Sequence, residues 1–191
     1  MSDRPTGPDV AQVRADVTPA EAALNPRATS VTVDPQQLVG LAVDAARNGD
    51  TETLARALAA GVPVNSTSPR GDGLLMLACY YGHTRAVNVL LDNGAKANQP
   101  DGRGQSPLSG VAFKGLIEVA ELLVAGGAVV DAPSADGRTP LMMAAAFNRV
   151  EMVSWLLAHG ASRDARDGGG LRAIDVARAM NANEVAALLS A

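Results

Sequence analysis

Residues 137–161 read GRTPLMMAAAFNRVEMVSWLLAHGA, and this stretch decides the fold. Thr139-Pro140 is typical of the start of a helix, and the small pair Ala144-Ala145 allows that helix to approach another closely. The apolar pair Leu156-Leu157 lies on a second helix, which ends at Gly160. The stretch therefore predicts two short, tightly packed helices separated by a turn.

The same pattern recurs along the chain with a period of 33 residues. Residues that tolerate a positive φ angle mark the ends of the first helices, and glycines follow the second helices. The two sets are Gly49, Gly82, Gly115, Asn148 and Asn181, and Gly61, Gly94, Gly127 and Gly160. Two further columns with this spacing are the loop glycines Gly71, Gly104, Gly137 and Gly170 and the turn-formers Asn65, Asn98, Asp131 and Asp164. A fixed period of this length predicts a solenoid of stacked helix–turn–helix units.

From about residue 35 to residue 191 the chain resembles the ankyrin-repeat family. The resemblance is carried by the 33-residue period, by the Gly-Arg-Thr-Pro-Leu run at 137–141, and by the small and leucine-rich pairs that follow it. It implies an all-α solenoid of helix–turn–helix units with projecting β-turn or hairpin loops. The chain departs from the family where a histidine usually follows Thr-Pro-Leu: the residues here are Val43, Met76, Ser109, Met142 and Asp175.

The domain organisation follows from the period. Five repeats are expected at about 35–66, 67–99, 100–132, 133–165 and 166–191, and the first and last are expected to act as caps. Residues 1–34 are predicted to be a disordered tail, because the first 35 residues hold five of the 11 prolines and no aromatic residue. Within this tail, Thr18-Pro19-Ala20-Glu21 has the form of a capping box, so a helical turn there is able to dock on a partner or on the repeats. Asp34-Pro35-Gln36-Gln37 has the same form and is expected to start the first repeat.

Composition excludes several classes of function. The formal net charge of -4 argues against a nucleic-acid partner. The single cysteine cannot form an internal disulfide, which favours a reducing compartment, and no apolar run suggests secretion or membrane insertion. We therefore expect a cytoplasmic protein, and the preponderance of arginine over lysine favours a bacterial genome.

A catalytic constellation is not evident. Cys79 and His83 are four residues apart, but Gly82 lies between them at the predicted turn, and Cys79 falls in a column of buried small residues. His159 precedes Gly160 at a helix C-terminus, where the helix dipole favours it. The run 168–170 has three glycines but lacks the Lys-Ser/Thr of a phosphate-binding loop. We predict no enzymatic activity, no metal site and no cofactor.

The aromatic residues give the strongest indication of a binding site. All tyrosines and phenylalanines of the chain, Tyr80, Tyr81, Phe113 and Phe147, fall in two adjacent columns just after the small pair of a first helix. Helical geometry places the first of these columns towards solvent, and exposed apolar patches usually mark interaction sites. One or two of the rings at the flanking position, those of Tyr81 and Phe147, are expected to pack between neighbouring helices instead.

Other predicted partner-binding residues surround these rings. Leu77 and Met143 are expected to face the same way and widen the patch, and Lys114 follows Phe113 in the second column. By resemblance to the family, the loop tips form a polar rim of the concave binding surface. These tip residues are Arg70, Asp72, Arg103, Gln105, Asp136 and Arg138.

The sequence favours a non-catalytic adaptor or regulator, monomeric alone, that binds one protein through the concave groove of repeats 2 to 4. One alternative is that the N-terminal tail carries recognition and the repeats form a platform. A small-ligand-binding or enzymatic subunit and a self-associating module are further alternatives. None of these hypotheses names the partner.

Overall fold

The computed structural model describes residues 34–190, and the chain over this range is helical. Ten helices lie in the described residues: α1 Pro35–Asn48, α2 Thr51–Ala59, α3 Leu74–Tyr80, α4 Thr84–Asp92, α5 Pro107–Lys114, α6 Ile117–Ala125, α7 Pro140–Ala146, α8 Val150–Ala158, α9 Ala173–Ala179 and α10 Asn183–Ser190. The only β-pairing in this range is an isolated antiparallel bridge between Thr67 and Gly73. The predicted all-α repeat fold is confirmed. The predicted tail, residues 1–34, lies outside the described residues except for Asp34.

The helices pack in pairs, and the pairs stack in chain order. Each first helix contacts the first helix of the next pair, from α1 through α3, α5 and α7 to α9. The second helices form a parallel row in which α2 contacts α4, α4 contacts α6, and α8 contacts α10. Each helix pair therefore buries its apolar face mainly against its own partner helix and its immediate neighbours.

Small residues on the first helices and leucines on the second helices fill the core between the two rows. The small pairs of the first helices are all buried: Ala45-Ala46, Ala78-Cys79, Val111-Ala112 and Ala144-Ala145. On the second helices of the three central repeats, one leucine each is fully buried, namely Leu90, Leu123 and Leu156. Close contact between small residues leaves no room for large rings between the rows. The core is thus completed without the aromatic residues of the first helices.

The first helix of each pair ends where the sequence predicts. The first or second residue after it has a positive φ in all five pairs, from 52° at Asn148 to 81° at Gly115. Asparagine is one of the few residues besides glycine that adopts this left-handed conformation at low cost. This reversal lets the second helix return antiparallel to the first.

Hydrogen bonds also join each repeat to the next. Asn65, Asn98 and Asp131 accept hydrogen bonds from the backbone N–H groups of Lys96, Val129 and Ser162, at 2.9, 2.8 and 2.9 Å. In every case the donor lies 31 residues further along the chain. The column predicted as simple turn-formers is therefore also an inter-repeat ladder.

The first helix, α1, departs from the repeat. The other first helices begin at residues 74, 107, 140 and 173, which corresponds to position 41 in the first pair. α1 instead begins at Pro35, with Asp34 as N-cap accepting the Gln36 N–H at 3.0 Å. Six residues that would form a loop in the other repeats are therefore helical in the first.

Candidate functional site: an aromatic surface on the first helices

The four rings of Tyr80, Tyr81, Phe113 and Phe147, which we call the aromatic cluster, lie at the C-terminal ends of α3, α5 and α7. Tyr80 stacks on Phe113 with centroids 6.3 Å apart and ring planes within 6° of parallel. Phe113 meets Phe147 edge to face at 4.3 Å, and Tyr80 meets Tyr81 edge to face at 5.4 Å. The predicted rings of three repeats therefore form one continuous row of contacts.

Most of this row is open to solvent. Tyr81 is 51% exposed, Phe147 42% and Tyr80 37%, while Phe113 in the middle is half-buried. The expectation that Tyr81 or Phe147 packs between helices is wrong, because both residues lie just past the last turn of their helices and their side chains are exposed. The flanking rings are in fact the more exposed members.

Lys114 adds a positive charge to the cluster. Its Nζ lies 4.4 Å from the centroid of the Tyr80 ring and 5.8 Å from that of Phe113. A cation over an aromatic face is attracted by the ring quadrupole, which holds the ammonium group at the surface. The cluster thus presents apolar rings beside a fixed cation.

Leu77 does not widen the exposed patch. Its side chain is only 6% exposed, and it belongs to the core between the helix rows. α3 packs between α1 and α5, and an added Cβ at Gly110 of α5 would lie only 3.5 Å from the Met76 sulfur. Leu77 is therefore buried, whereas Met143 in the same column of α7 is half-buried.

The predicted loop-tip residues lie in three similar turns. Arg70, Arg103, Asp136 and Arg138 are exposed, and Asp72 and Gln105 are half-buried. No hydrogen bond or ion pair within residues 34–190 joins these six residues to the aromatic cluster. The loop-tip residues therefore form a row that is not bonded to the aromatic cluster.

A column of short polar residues that the prediction missed shapes these loops. Ser68, Asp101 and Asp167 each accept hydrogen bonds from the backbone N–H groups two and four residues later, and the Asp101 bonds to Arg103 and Gln105 are both 2.9 Å. Ser134 occupies the same position and donates to the Arg138 carbonyl at 2.9 Å. The recurrence of Ser or Asp at 33-residue steps is the signal in the sequence that identifies this column.

The third of these loops, at 134–138, is tied to the fourth, at 167–171. The Asp136 carboxylate accepts the Ser134 hydroxyl at 2.6 Å, and this bond, with the charge of Arg138, lowers the pKa of Asp136. Arg138 Nε lies 3.4 Å from Asp136 Oδ2 and 3.9 Å from Asp167 Oδ2. The Gly168 N–H donates to the Asp136 carbonyl at 2.8 Å, so the two loops are held in register.

A cavity of about 660 Å³, which we call the N-terminal groove, opens between residues 35–47 of α1 and residues 67–69 of the following loop. Its far end is at Arg47, one repeat before Tyr80 in the same column. The sequence analysis did not predict this groove. The signal for it is the capping sequence at 34–37, which starts α1 six residues early.

The candidate reactive residues have structural contacts. Cys79 is fully buried, and desolvation raises the pKa of its thiol. The His83 ring nitrogen Nε2 lies 2.9 Å from the Arg47 carbonyl oxygen, which joins the first two repeats. His159 stacks on Trp155 at 3.9 Å, and its Nδ1 lies 2.8 Å from the Trp155 carbonyl oxygen. Trp155 itself packs against the core, as the sequence suggested.

Residues 34–190 contain no group of three or more His, Cys, Asp or Glu side chains placed to hold a metal ion. No helix in that range is long and apolar enough to cross a membrane.

Comparison with known proteins identifies related sequences. Residues 42–134 and 111–191 match a family model described as ankyrin repeats in three copies. A Pseudomonas aeruginosa protein named as ankyrin repeat protein PA3287 is 48% identical over 55 residues, which is 29% of this chain and 32% of that protein. The match thus spans about a third of the relative's length.

Proposed function

This chain belongs to the ankyrin-repeat family, whose repeats are general protein–protein interaction modules, and we propose that it is a non-catalytic adaptor or regulator binding a partner protein through repeats 2 to 4. The aromatic cluster and Lys114 form the centre of the proposed surface. The loop tips with Arg70, Arg103 and Arg138 form its polar rim.

The observation that carries this proposal is that the rings join three repeats in one row while three of the four remain largely exposed. The core is filled by small residues and leucines, so the rings are not needed to complete it. Exposed apolar surface costs about 25 cal/mol per Å² relative to burial. A contiguous aromatic row left in water is therefore typical of an interaction surface.

The cluster is also arranged for tight binding. Contacts between the rings restrict their rotation before a partner arrives, which lowers the entropy lost on association. Tyrosine is enriched among residues that contribute most to binding energy, because its ring is apolar and its hydroxyl forms hydrogen bonds. The four rings are therefore the proposed energetic anchors.

Charge limits the kind of partner that fits. Lys114, Arg70 and Arg103 form no ion pair with any residue in the range 34–190. A partner with apolar side chains at its centre and carboxylates at its edge would match these cations. Charge complementarity of this kind steers association and contributes to specificity.

The test is affinity capture from a lysate of the source organism, with the full chain as bait. The Tyr80→Ala/Phe113→Ala/Phe147→Ala variant is compared with wild type after circular dichroism shows that both are folded. Met180→Ala is the matched control, because Met180 is 54% exposed and lies in the equivalent column of the last repeat.

We expect one protein to be retained by wild type and by Met180→Ala and lost by the triple variant. Equal retention by all three baits would refute the proposed surface. A chain lacking residues 1–33 should still retain the protein, and loss of binding on that deletion would move recognition to the tail.

A further inference from the structure

The N-terminal groove lies where α1 departs from the regular repeat, since the early helical residues Pro35, Gln36, Val39 and Gly40 line it. Its walls are partly apolar, with Val39 and Val43 on the helix and Pro69 on the loop. Asp44 and Arg47 form an ion pair of 2.7 Å at its far end. A cavity of about 660 Å³ is within the range that holds a peptide segment or a small ligand, roughly 300–1,000 Å³.

Gly40 lies in the middle of the helical wall of this groove. A glycine within a helix costs about 0.5–1 kcal/mol relative to alanine, so it is unfavourable unless space is needed. A Cβ atom built at Gly40 would meet nothing within 4 Å, so no packing among residues 34–190 requires a glycine there. Because Gly40 has no side chain, another backbone can lie close to α1 at this position.

The chain preceding α1 begins at the mouth of the groove, since Pro35 and Gln36 line it. The groove runs along α1 from residue 35 to residue 47, which is about 18 Å at the helical rise of about 1.5 Å per residue. Residues 25–33 join Leu24 to Asp34, and nine residues span up to about 30 Å. The segment ending at Leu24 can therefore reach every part of the groove.

The sequence of that segment suits a close approach. Residues 18–26 read TPAEAALNP, in which Thr18, Pro19 and Glu21 have the pattern of a helix start and Asn25-Pro26 that of a helix stop. A helix over this range would carry Ala20, Ala23 and Leu24 on one face, because residues three and four apart are neighbours. Two small residues and one leucine form a narrow apolar face.

We propose that residues 18–25 occupy the N-terminal groove of their own chain, with Ala20, Ala23 and Leu24 lying against Val39, Gly40 and Pro69. Because only a short stretch of chain joins this segment to α1, its effective concentration at the groove is in the millimolar range, so a contact that is weak between separate molecules is sufficient here. The docked segment would pack against the first repeat at the place where α1 replaces a loop. The inference does not depend on the proposed function.

The test uses the full chain with a spin label at Ala22→Cys. Cys79 is fully buried, and burial raises the pKa of its thiol, so labelling is directed to the new cysteine. In a ¹⁵N-labelled sample, the amide signals of Gly40, Val43 and Ser68 should lose most of their intensity. The signals of the last repeat should be unaffected.

Two further substitutions make this result decisive. Gly40→Leu fills the groove without a clash within 4 Å at its Cβ, and Leu24→Asp removes the apolar anchor. Each is expected to restore the lost intensity in the labelled chain. The proposal is overturned if the groove signals are unaffected by the label, if neither substitution restores them, or if a labelled chain broadens the signals of separate unlabelled chains equally.

Discussion

At the scale of single residues, the inter-repeat ladder includes Asn98, whose side-chain amide forms hydrogen bonds through both its oxygen and its nitrogen. Asn98 accepts from the Val129 N–H at 2.8 Å and donates from Nδ2 to the Gly127 carbonyl at 2.9 Å. Asp164 stands in the same column of the fourth repeat; its side chain is 90% exposed, and its Oδ1 lies 4.0 Å from Arg172 Nη1. The same position therefore forms two hydrogen bonds between repeats at Asn98 but only an exposed ion pair at Asp164.

We predict that Asn98→Ala lowers the free energy of unfolding by about 1 kcal/mol, because it removes both hydrogen bonds. Asp164→Ala is the control and should change the free energy of unfolding by less than about 0.5 kcal/mol. Urea unfolding of the two variants and wild type measures both values. Equal effects of the two substitutions would show that the ladder does not contribute to stability.

Two glycines in neighbouring loops differ in the space around them. A Cβ at Gly102 would lie 2.3 Å from the Arg70 carbonyl oxygen, which is rigid backbone. Gly73 has an extended backbone with φ -69° and ψ 157°, and its nearest contact is the flexible Gln99 side chain at 3.6 Å. Gly73 is also the N-cap of α3, where Ser106 and Thr139 provide side-chain caps in the next two repeats.

Gly102→Ala should therefore lower the free energy of unfolding by at least about 1 kcal/mol. Gly73→Ser should raise it by a few tenths of a kcal/mol, because serine caps the helix and restricts the unfolded chain. Thermal or urea unfolding distinguishes the two directions. A neutral Gly102→Ala would mean that the first two loops do not approach as closely as the structure shows.

Residue patterns in the sequence predicted the backbone conformation better than they predicted the solvent exposure of the side chains. Few residue types adopt a positive φ, and asparagine is one of them. The recurrence of asparagine or glycine at helix ends therefore predicted the left-handed conformation that Asn148 and Asn181 have. The burial of Leu77 was not predicted, since it depends on how closely α5 approaches α3 at Gly110. Helical periodicity gives the direction of a side chain but not the distance to the neighbouring helix.

At the scale of the elements, the second helix of the first pair shows how a terminus is stabilised. Asp50 is the N-cap of α2, and its carboxylate accepts the Thr53 backbone N–H at 3.0 Å. Hydrogen bonds from the side chain and then the backbone of Thr53 lower the pKa of Asp50. The ionised carboxylate is therefore favoured in the folded state.

This shift predicts a pH dependence. A group with a lowered folded-state pKa contributes stability above its unfolded pKa, about 3.9 for aspartate, and this contribution is lost as the pH falls through the folded-state value. Asp50→Asn retains a capping side chain but does not titrate. Urea unfolding between about pH 2 and pH 7 should show a steeper acid loss for wild type than for Asp50→Asn. Parallel curves would contradict the assignment.

The positions of most helices followed from the period, whereas the start of α1 followed from the capping sequence at 34–37. The 33-residue phase places the other four first helices correctly, because each repeat imposes the same loop before its first helix. The first repeat has no preceding neighbour, so Asp34 and Pro35 were free to start the helix six residues early. Terminal repeats break the periodicity on which the prediction relied.

At the scale of the whole molecule, the stacking of the repeats brings aromatic side chains from three repeats together on one surface. The first helices contact one another in sequence, and this arrangement brings Tyr80, Phe113 and Phe147 together although each is 33 or 34 residues from the next. The sequence predicted which residues share the surface, because their columns share one phase. It did not predict their ring geometry or the N-terminal groove, which depend on helix spacing and on the non-repeating first helix.

The central claim is that the aromatic cluster serves binding rather than stability. Tyr81 and Phe147 are its most exposed rings, so their loss should not disturb the core. The most direct measurement is titration calorimetry of the captured partner with wild type and with Tyr81→Ser/Phe147→Ser, accompanied by urea unfolding of both chains.

We predict that the double variant binds the partner at least about tenfold more weakly, a loss of about 1.4 kcal/mol or more, because exposed aromatic anchors contribute most of the binding energy. Its free energy of unfolding should change by less than about 1 kcal/mol. Unchanged affinity, or a loss of stability of about 3 kcal/mol or more like that of a core aromatic, would contradict the account.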